Sequence, residues 1–220
     1  AGLSKWLSLT GTGVWNFGVG SVKEVYPEWW GIDGTADEVE INKAIQSFER
    51  DGIVQLQPKT YNIAAVISMN KSSIYLKGTG KSLLASVSGT IIKKSGDGYD
   101  AIYTTALECR LSDFTVDGNS KTDDGITMLS SNHCIYENIS IHNIGGTGWG
   151  IIVDNSGVNQ FRSININESA NGLYINVLST NPRTGILLKV SSKGSLVMVP
   201  MIFSTVQLFS ARNFGKVLTV

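Results

Sequence analysis

Asp117, Asp123, Asp124 and His142 are the residues whose types and spacing suit acid–base chemistry. Cleaving a glycosidic bond takes two carboxyl groups, about 5–5.5 Å apart if configuration is retained and about 6.5–9.5 Å apart if it is inverted. Asp123 and Asp124 are adjacent, and Asp117 can approach them around the Gly118–Asn119 turn, which makes this the best acidic group in the chain. His142 falls on the same register as Asp117, with Asn167 next in line. A carboxylate one rung from an imidazole can orient it for proton transfer. The competing reading is plainer. Asp117-Gly118-Asn119 and Asp123-Asp124-Gly125 are turn sequences in which an Asp bonds its own backbone, and Asp117–His142–Asn167 is then a polar stack.

Trp149, in Gly145-Gly-Thr-Gly-Trp-Gly150, and an outward Tyr174 suit stacking on sugar rings, and Asp154 is placed with them as a substrate-binding residue. The same aromatics, with Ile152, equally suit a subunit interface, so a homotrimer stays open. Cys109 and Cys134 share an offset, with Asn159 following; they are expected to point inward as free, inert thiols, since in-register neighbours on parallel strands suit disulfides poorly. Glu137 and Arg162 are expected to form a surface ion pair, and His133 to lie in a turn. Gly78-Thr-Gly-Lys-Ser82 lacks the first glycine of a phosphate-binding loop, because Tyr75 stands there, and no helical pattern follows; it is a turn.

Positioning these residues falls to a repeat. Leu111–Asp117, Tyr136–His142 and Phe161–Asn167 begin twenty-five residues apart, twice. Gly125–Leu129, Gly150–Asp154 and Gly172–Asn176 follow at offsets of twenty-five and twenty-two. Each segment alternates with period two, as a half-buried strand does. Phe114, Ile139 and Ile164 form one inward ladder, and Val116, Ile141 and Ile166 the next. Stacked coils of short strands bury a continuous core that one coil alone cannot. The fold is therefore expected to be all-β, a right-handed parallel β-helix with an N-terminal capping α-helix. A β-sandwich would not explain equivalent positions at fixed offsets.

The helix is expected over Thr35–Phe48, with Ile41, Ala44, Ile45 and Phe48 on one face, Thr35 as N-cap and Gly52 after its end. It would cover the apolar edge of the first coil, with Trp29 and Trp30 beneath it. Irregular strands are expected at 53–56, 61–63, 74–76 and 90–92. Residues 1–34 read as a lead-in, 35–176 as capping helix and β-helix, and 177–220 as closing coils or a cap, with strands at 185–190 and 196–203.

Eighteen basic and eighteen acidic residues give zero formal charge, with no basic stripe for nucleic acid and no polybasic patch for anionic lipid. No eighteen-residue apolar run exists, so no membrane insertion is expected. No basic segment followed by an apolar one opens the chain, and Ala1 reads as the start of a mature or excised fragment. Two cysteines make neither a disulfide scaffold nor a cysteine metal site; no metal or cofactor is expected.

The stretch Gly31-Ile-Asp-Gly-Thr-Ala-Asp-Glu-Val-Glu-Ile-Asn-Lys-Ala-Ile45 resembles the opening of pectate-lyase-like β-helices. Gly52-Ile-Val-Gln-Leu-Gln-Pro-Lys-Thr-Tyr61 is similar to their next strand, and Ser72–Gly80 and Gly89–Lys93 to the following coils. Val25-Tyr-Pro-Glu-Trp-Trp-Gly31 resembles the lead-in of phage tailspike-like and bacterial surface members. The resemblance spans residues 20–176. It implies a protein that recognises or degrades a surface polysaccharide, by glycoside hydrolase or lyase chemistry, outside the cell, on its surface or on a virion. Lys121-Thr-Asp-Asp-Gly-Ile126 resembles the first acidic element of the polygalacturonase-like members, but Gly146-Thr-Gly-Trp-Gly-Ile151 carries no second pair, and their Gly-His-Gly and Arg-Ile-Lys motifs are absent. The alternative is a non-catalytic structural or adhesive β-helix, a spike or appendage subunit.

Overall fold

A computed structural model describes residues 15–82 and 88–176, and beyond them the strands Ile186–Leu188, Leu196–Met198, Val206–Leu208 and Val217–Thr219. Every pairing between its strands is parallel, and the chain winds as a β-helix. One sheet stacks Glu24–Val25, Gly52–Gln55, Ile74–Lys77, Arg110–Asp117, Ile135–His142 and Gln160–Arg162, then Ile186–Leu188 and Val206–Leu208. Thr60–Ile63 stacks onto Thr90–Lys94, which stacks onto the second half of Arg110–Asp117, and Asn165–Asn167 stacks onto that of Ile135–His142. A seven-stranded sheet runs Ile67–Met69, Ile102–Thr104, Ile126–Leu129, Trp149–Asp154, Asn171–Asn176, Leu196–Met198 and Val217–Thr219.

The repeat sets the register. Leu111 pairs with Tyr136 and Tyr136 with Phe161, while Ile126 pairs with Ile151 and Ile151 with Leu173, so the twenty-two-residue offset is a coil with a shorter turn. Phe114, Ile139 and Ile164 are buried as one ladder, and Val116, Ile141 and Ile166 as its neighbour. Asp113, Asn138 and Ser163, also twenty-five apart, have φ of 63°, 52° and 54°. These left-handed residues bend the coil into two faces, a conformation that Asn and Asp tolerate better than most. Asn138 Nδ2 donates to Asp113 Oδ1 at 2.7 Å, tying one bend to the next.

The helix is shorter than the sequence suggests, Glu38–Gln46, with Ile41, Ala44 and Ile45 buried. Thr35 does not cap it. Its amide and hydroxyl both donate to Asp33 Oδ1, and Asp37 takes the N-cap position without a side-chain cap bond. The Asp37 carboxylate instead accepts from Gly34 N and Asn62 N, both at 2.8 Å. Glu38 Oε2 accepts from Ala64 N, and Asn42 Oδ1 from Ser68 N. The polar side of the helix thus satisfies amides on the exposed edge of the first coil, where an unpaired strand edge would otherwise stand open. Trp29 and Trp30 pack, partly buried, against the same core.

Turns set the limit on how closely coils approach. A Cβ built on Gly125 would lie 2.5 Å from Gly150 O and 2.8 Å from Ile141 Cγ2. Gly125→Ala is expected to cost about 1–3 kcal/mol of overpacking, read as a lower urea midpoint at unchanged slope. Ile126 and Ile151 lie within the expected segments, as do the strands at Ile186–Leu188 and Leu196–Met198. The remainder of the expected 1–34 lead-in and 177–220 closing region lies outside the described residues wherever it falls in 1–14 or between those last strands.

Candidate functional site

Asp123 and Asp124 end the turn before Ile126–Leu129, and the carboxylates they meet come from the coil before, not the coil after. Asp100 Oδ1 accepts from Asp124 N at 3.1 Å, and Asp97 Oδ1 from Thr122 N at 2.7 Å. Asp123 Oδ2 reaches back to Gly98 N at 2.8 Å and also accepts from Thr122 Oγ1 at 3.0 Å. Toward the next coil, Asp124 Oδ1 accepts from Trp149 N at 2.7 Å. Asp100, Asp124 and Trp149 therefore form a continuous line along one edge of the seven-stranded sheet, and Asn171 pairs with Trp149 to extend it.

Lys94 lies beneath this line, fully buried at the end of Thr90–Lys94. Its Nζ donates to Thr122 O and sits 5.1 Å from the centroid of the Tyr99 ring. Burial pulls the Lys94 ammonium below its usual range, and the charges of Asp123, Asp100, Asp124 and Asp97 oppose that pull. The carboxylates diverge. Burial, with Asp100 and Asp123 adding repulsion, holds Asp124 above the usual carboxylate range, against the bond from Trp149 N and the charge of Lys94. The amide of Thr122 holds Asp97 below it. Asp124 is thereby held toward its protonated form, the state from which a carboxyl donates a proton.

One coil on, the Trp149 and Tyr174 rings lie 5.4 Å apart at 55°, both half-buried on the outer face. Asp154 ends the same strand at its far end from Trp149, half-buried, its carbonyl accepting from Ser130 N. It is not part of the acidic line.

Asp117 and His142 are together but elsewhere. They pair in register, with Asp117 Oδ1 3.7 Å from His142 Nδ1, and Lys93 Nζ 3.7 Å from the other Asp117 oxygen. Asp117 also accepts from Asn119 N at 2.8 Å, the local turn bond that the sequence suggested. Its contacts go to Lys93, His142 and Asn119, while those of Asp123 and Asp124 go to the Asp97–Asp100 turn, Thr122 and Trp149. The four acid–base candidates thus fall into two groups with separate contacts.

The acidic partner of Asp123 and Asp124 does not lie one coil forward, where Gly148 and Trp149 stand. It lies one coil back, and Gly98-Tyr-Asp-Ala-Ile102 set against Thr122-Asp-Asp-Gly-Ile126 carries that signal. Lys94 carried none, since a lone lysine ending an apolar strand reads as a surface residue.

The other expectations meet specific contacts. Cys109 and Cys134 are free and buried, with Cys109 N donating to Cys134 Sγ at 3.2 Å and Cys134 N to Asn159 Oδ1 at 2.9 Å. The contact with Cys134 and burial raise the Cys109 thiol far above its usual range. Glu137 pairs with Arg162 at 3.8 Å and, more closely, with Arg110, which also lies over the Tyr75 ring. His133 sits in a turn at φ 59°. Among the described residues no three His, Cys, Asp or Glu gather as a metal-binding group, and no helix is long and apolar enough to cross a membrane.

No protein-family model matches the chain, and no curated protein matches its sequence. Among solved structures, ORF18 of Geobacillus virus E2 superposes with a TM-score of 0.58 at 18% identity, over 74% of this chain. The chain spans 40% of that protein's length. At this identity the likeness is one of fold, and the chain is similar in architecture to a phage protein.

Proposed function

We propose that this chain is a tailspike-like β-helix, on a virion or cell surface, that recognises a surface polysaccharide along the line Asp100–Asp124–Trp149–Tyr174. The hydrogen bond from Trp149 N to Asp124 Oδ1 carries the reading, because it joins the acidic turn to the aromatic pair across adjacent coils. Coils stack at about 4.8 Å, so a sugar ring lying on Trp149 and Tyr174 would place its neighbouring linkage over Asp124 and Asp100. Asp124, held toward its protonated form, would act as general acid, and the more exposed Asp123 as base or nucleophile. Hydrolase and lyase chemistry both remain within this scheme. The phage neighbour and the pectate-lyase-like opening support the same assignment.

A non-catalytic adhesive β-helix is favoured by a different observation. Asp97, Asp100, Asp123 and Asp124 each accept a backbone amide from a neighbouring coil, as turn-stabilising residues do. Subunit contact through Trp149, Ile152 and Tyr174 in a homotrimer belongs to that reading. Incubation with neutral and acidic surface polysaccharides decides between them. Release of oligosaccharide that drops at least about a hundredfold in Asp124→Asn supports the enzyme. Binding without release on any glycan leaves the adhesive protein.

A further inference from the structure

Cys109 and Cys134 open consecutive coils, each one residue before the strands Arg110–Asp117 and Ile135–His142. Arg110 pairs with Ile135 in parallel register, and Ile135 N donates to Cys109 O at 2.9 Å, so the two cysteines stand opposite one another across the coil interface. In-register Cα atoms on neighbouring parallel strands lie about 4.8 Å apart. That is inside the range of about 4.4–6.8 Å that a disulfide spans. The Cβ separation, which parallel strands hold near the same value, is what exceeds the preferred range of about 3.5–4.5 Å. The poor fit expected of such neighbours is therefore a small strain and not a bar.

Both side chains are buried and their thiols are in contact. Cys109 N donates to Cys134 Sγ at 3.2 Å, and Ser131 Oγ lies 3.2 Å from the same sulfur. Cys109 Sγ donates instead to Lys71 O at 3.3 Å, on the coil before. One rotation about χ1 of Cys109 turns its sulfur from Lys71 O toward Cys134, and the bond given up is that of a weak donor. The Cys109 thiol, with Ser131 and the Cys109 amide, holds the Cys134 thiol below its usual range against the effect of burial, and the thiolate is the nucleophile. Each cysteine follows an exposed turn residue, Glu108 and His133, both at φ 59°. Leu107 beside them is 45% exposed. Local opening of this surface ridge uncovers the pair without unfolding the coils.

We propose that Cys109 and Cys134 are a bridging pair, which a small-molecule disulfide oxidises to an inter-coil disulfide. The bridge fastens the coil that carries Asp124 to the coil that carries Trp149. Cys134 Sγ attacks one sulfur of the reagent and displaces the first thiolate. Cys109 Sγ then attacks Cys134 Sγ and displaces the second. One S–S bond breaks in the reagent and one forms in the protein. The two cysteines lose two electrons to the reagent, and their two protons leave on its two reduced thiols. The bridge does not depend on the polysaccharide reading.

The test is incubation of the full chain, reduced and freed of reductant, with oxidised glutathione in native buffer, read by intact mass and by a peptide map without reductant. The expected result is loss of both free thiols together, a mass lower by two hydrogens with no glutathione retained, and cross-linked peptides carrying Cys109 and Cys134. Cys109→Ser should stop at a mixed disulfide, with one glutathione on Cys134. Cys134→Ser, left with the raised Cys109 thiol, should stay unmodified. The bridged chain should unfold at a higher urea concentration than the reduced chain, because a closed loop restricts the unfolded state. Thiols still free after oxidation, glutathione retained on both cysteines, or a disulfide between two chains overturns the bridge. Equal modification of the two variants overturns Cys134 as the attacking thiol. A bridged chain that unfolds no later than the reduced one overturns the fastening role.

Discussion

Phe114→Ala is expected to lower the unfolding free energy by about 3–5 kcal/mol, the cost of truncating a fully buried aromatic side chain. The residue is wholly buried between coils, paired with Thr90 on one side and Ile139 on the other. A coil contributes little stability alone, and each apolar rung is shared with the coils above and below. A void at Phe114 therefore removes contacts from three coils at once. The neighbouring rung supplies the internal scale: Ile139→Val deletes one methylene from the same ladder and should cost about 0.5–1.5 kcal/mol. Urea unfolding monitored by circular dichroism measures both. Equal, small losses would mean that the ladder does not hold the coils together.

Lys94→Met is expected to cost about 0.5–1.5 kcal/mol near neutral pH, the hydrogen bond to Thr122 O being offset in part by relief of a buried ammonium that its surroundings disfavour. Methionine keeps the buried stem and removes the ammonium that donates to Thr122 O and faces Asp97, Asp100, Asp123 and Asp124. The loss should depend on pH, and its sign follows from the carboxyls. Asp124 is held above the usual range in the fold, so its ionised form costs stability at pH above that folded value, and the cost disappears as pH falls and the group protonates. Removing Lys94 raises that penalty. The variant should therefore be most impaired near pH 7 and recover toward wild type near about pH 4. Asp97 works in the opposite sense: it is held below the usual range, and its contribution, present above the unfolded value, fades as pH falls in both proteins. A loss equal at both pH values would reduce Lys94 to a hydrogen-bond donor for Thr122.

The parallel fold was legible because its signal is long-range and redundant. Leu111, Tyr136 and Phe161 fix one register, Ile126 and Ile151 another, and any single misread strand leaves the offset intact. The helix ends were less legible, because Thr35 and Asp37 are both good caps by type. The Asp37 side chain is drawn away from the helix by Asn62, a residue of the strand Thr60–Ile63 whose amide needs an acceptor, and by Gly34. The site followed the same division. Asp117 beside His142 came directly from the register, and so did the two stacked cysteines. The acidic line did not, because its second half, Asp97 and Asp100, lies in the turn between Thr90–Lys94 and Ile102–Thr104, outside the regular repeat. Burial was the least visible property of all. Alternation places Thr115, Ser140 and His142 outward, and nothing in a period-two pattern says that an outward face will be closed off from water.

The proposed carbohydrate-binding line joins the acidic turn to the aromatic pair. Trp149→Ala isolates it, because the bond that ties Trp149 to Asp124 is made by the backbone amide and survives loss of the ring. Titration calorimetry of the full chain with a polysaccharide it binds should show affinity reduced at least about tenfold in Trp149→Ala, with unchanged circular dichroism and the acidic turn intact. Affinity equal to wild type would place the glycan elsewhere and contradict the account.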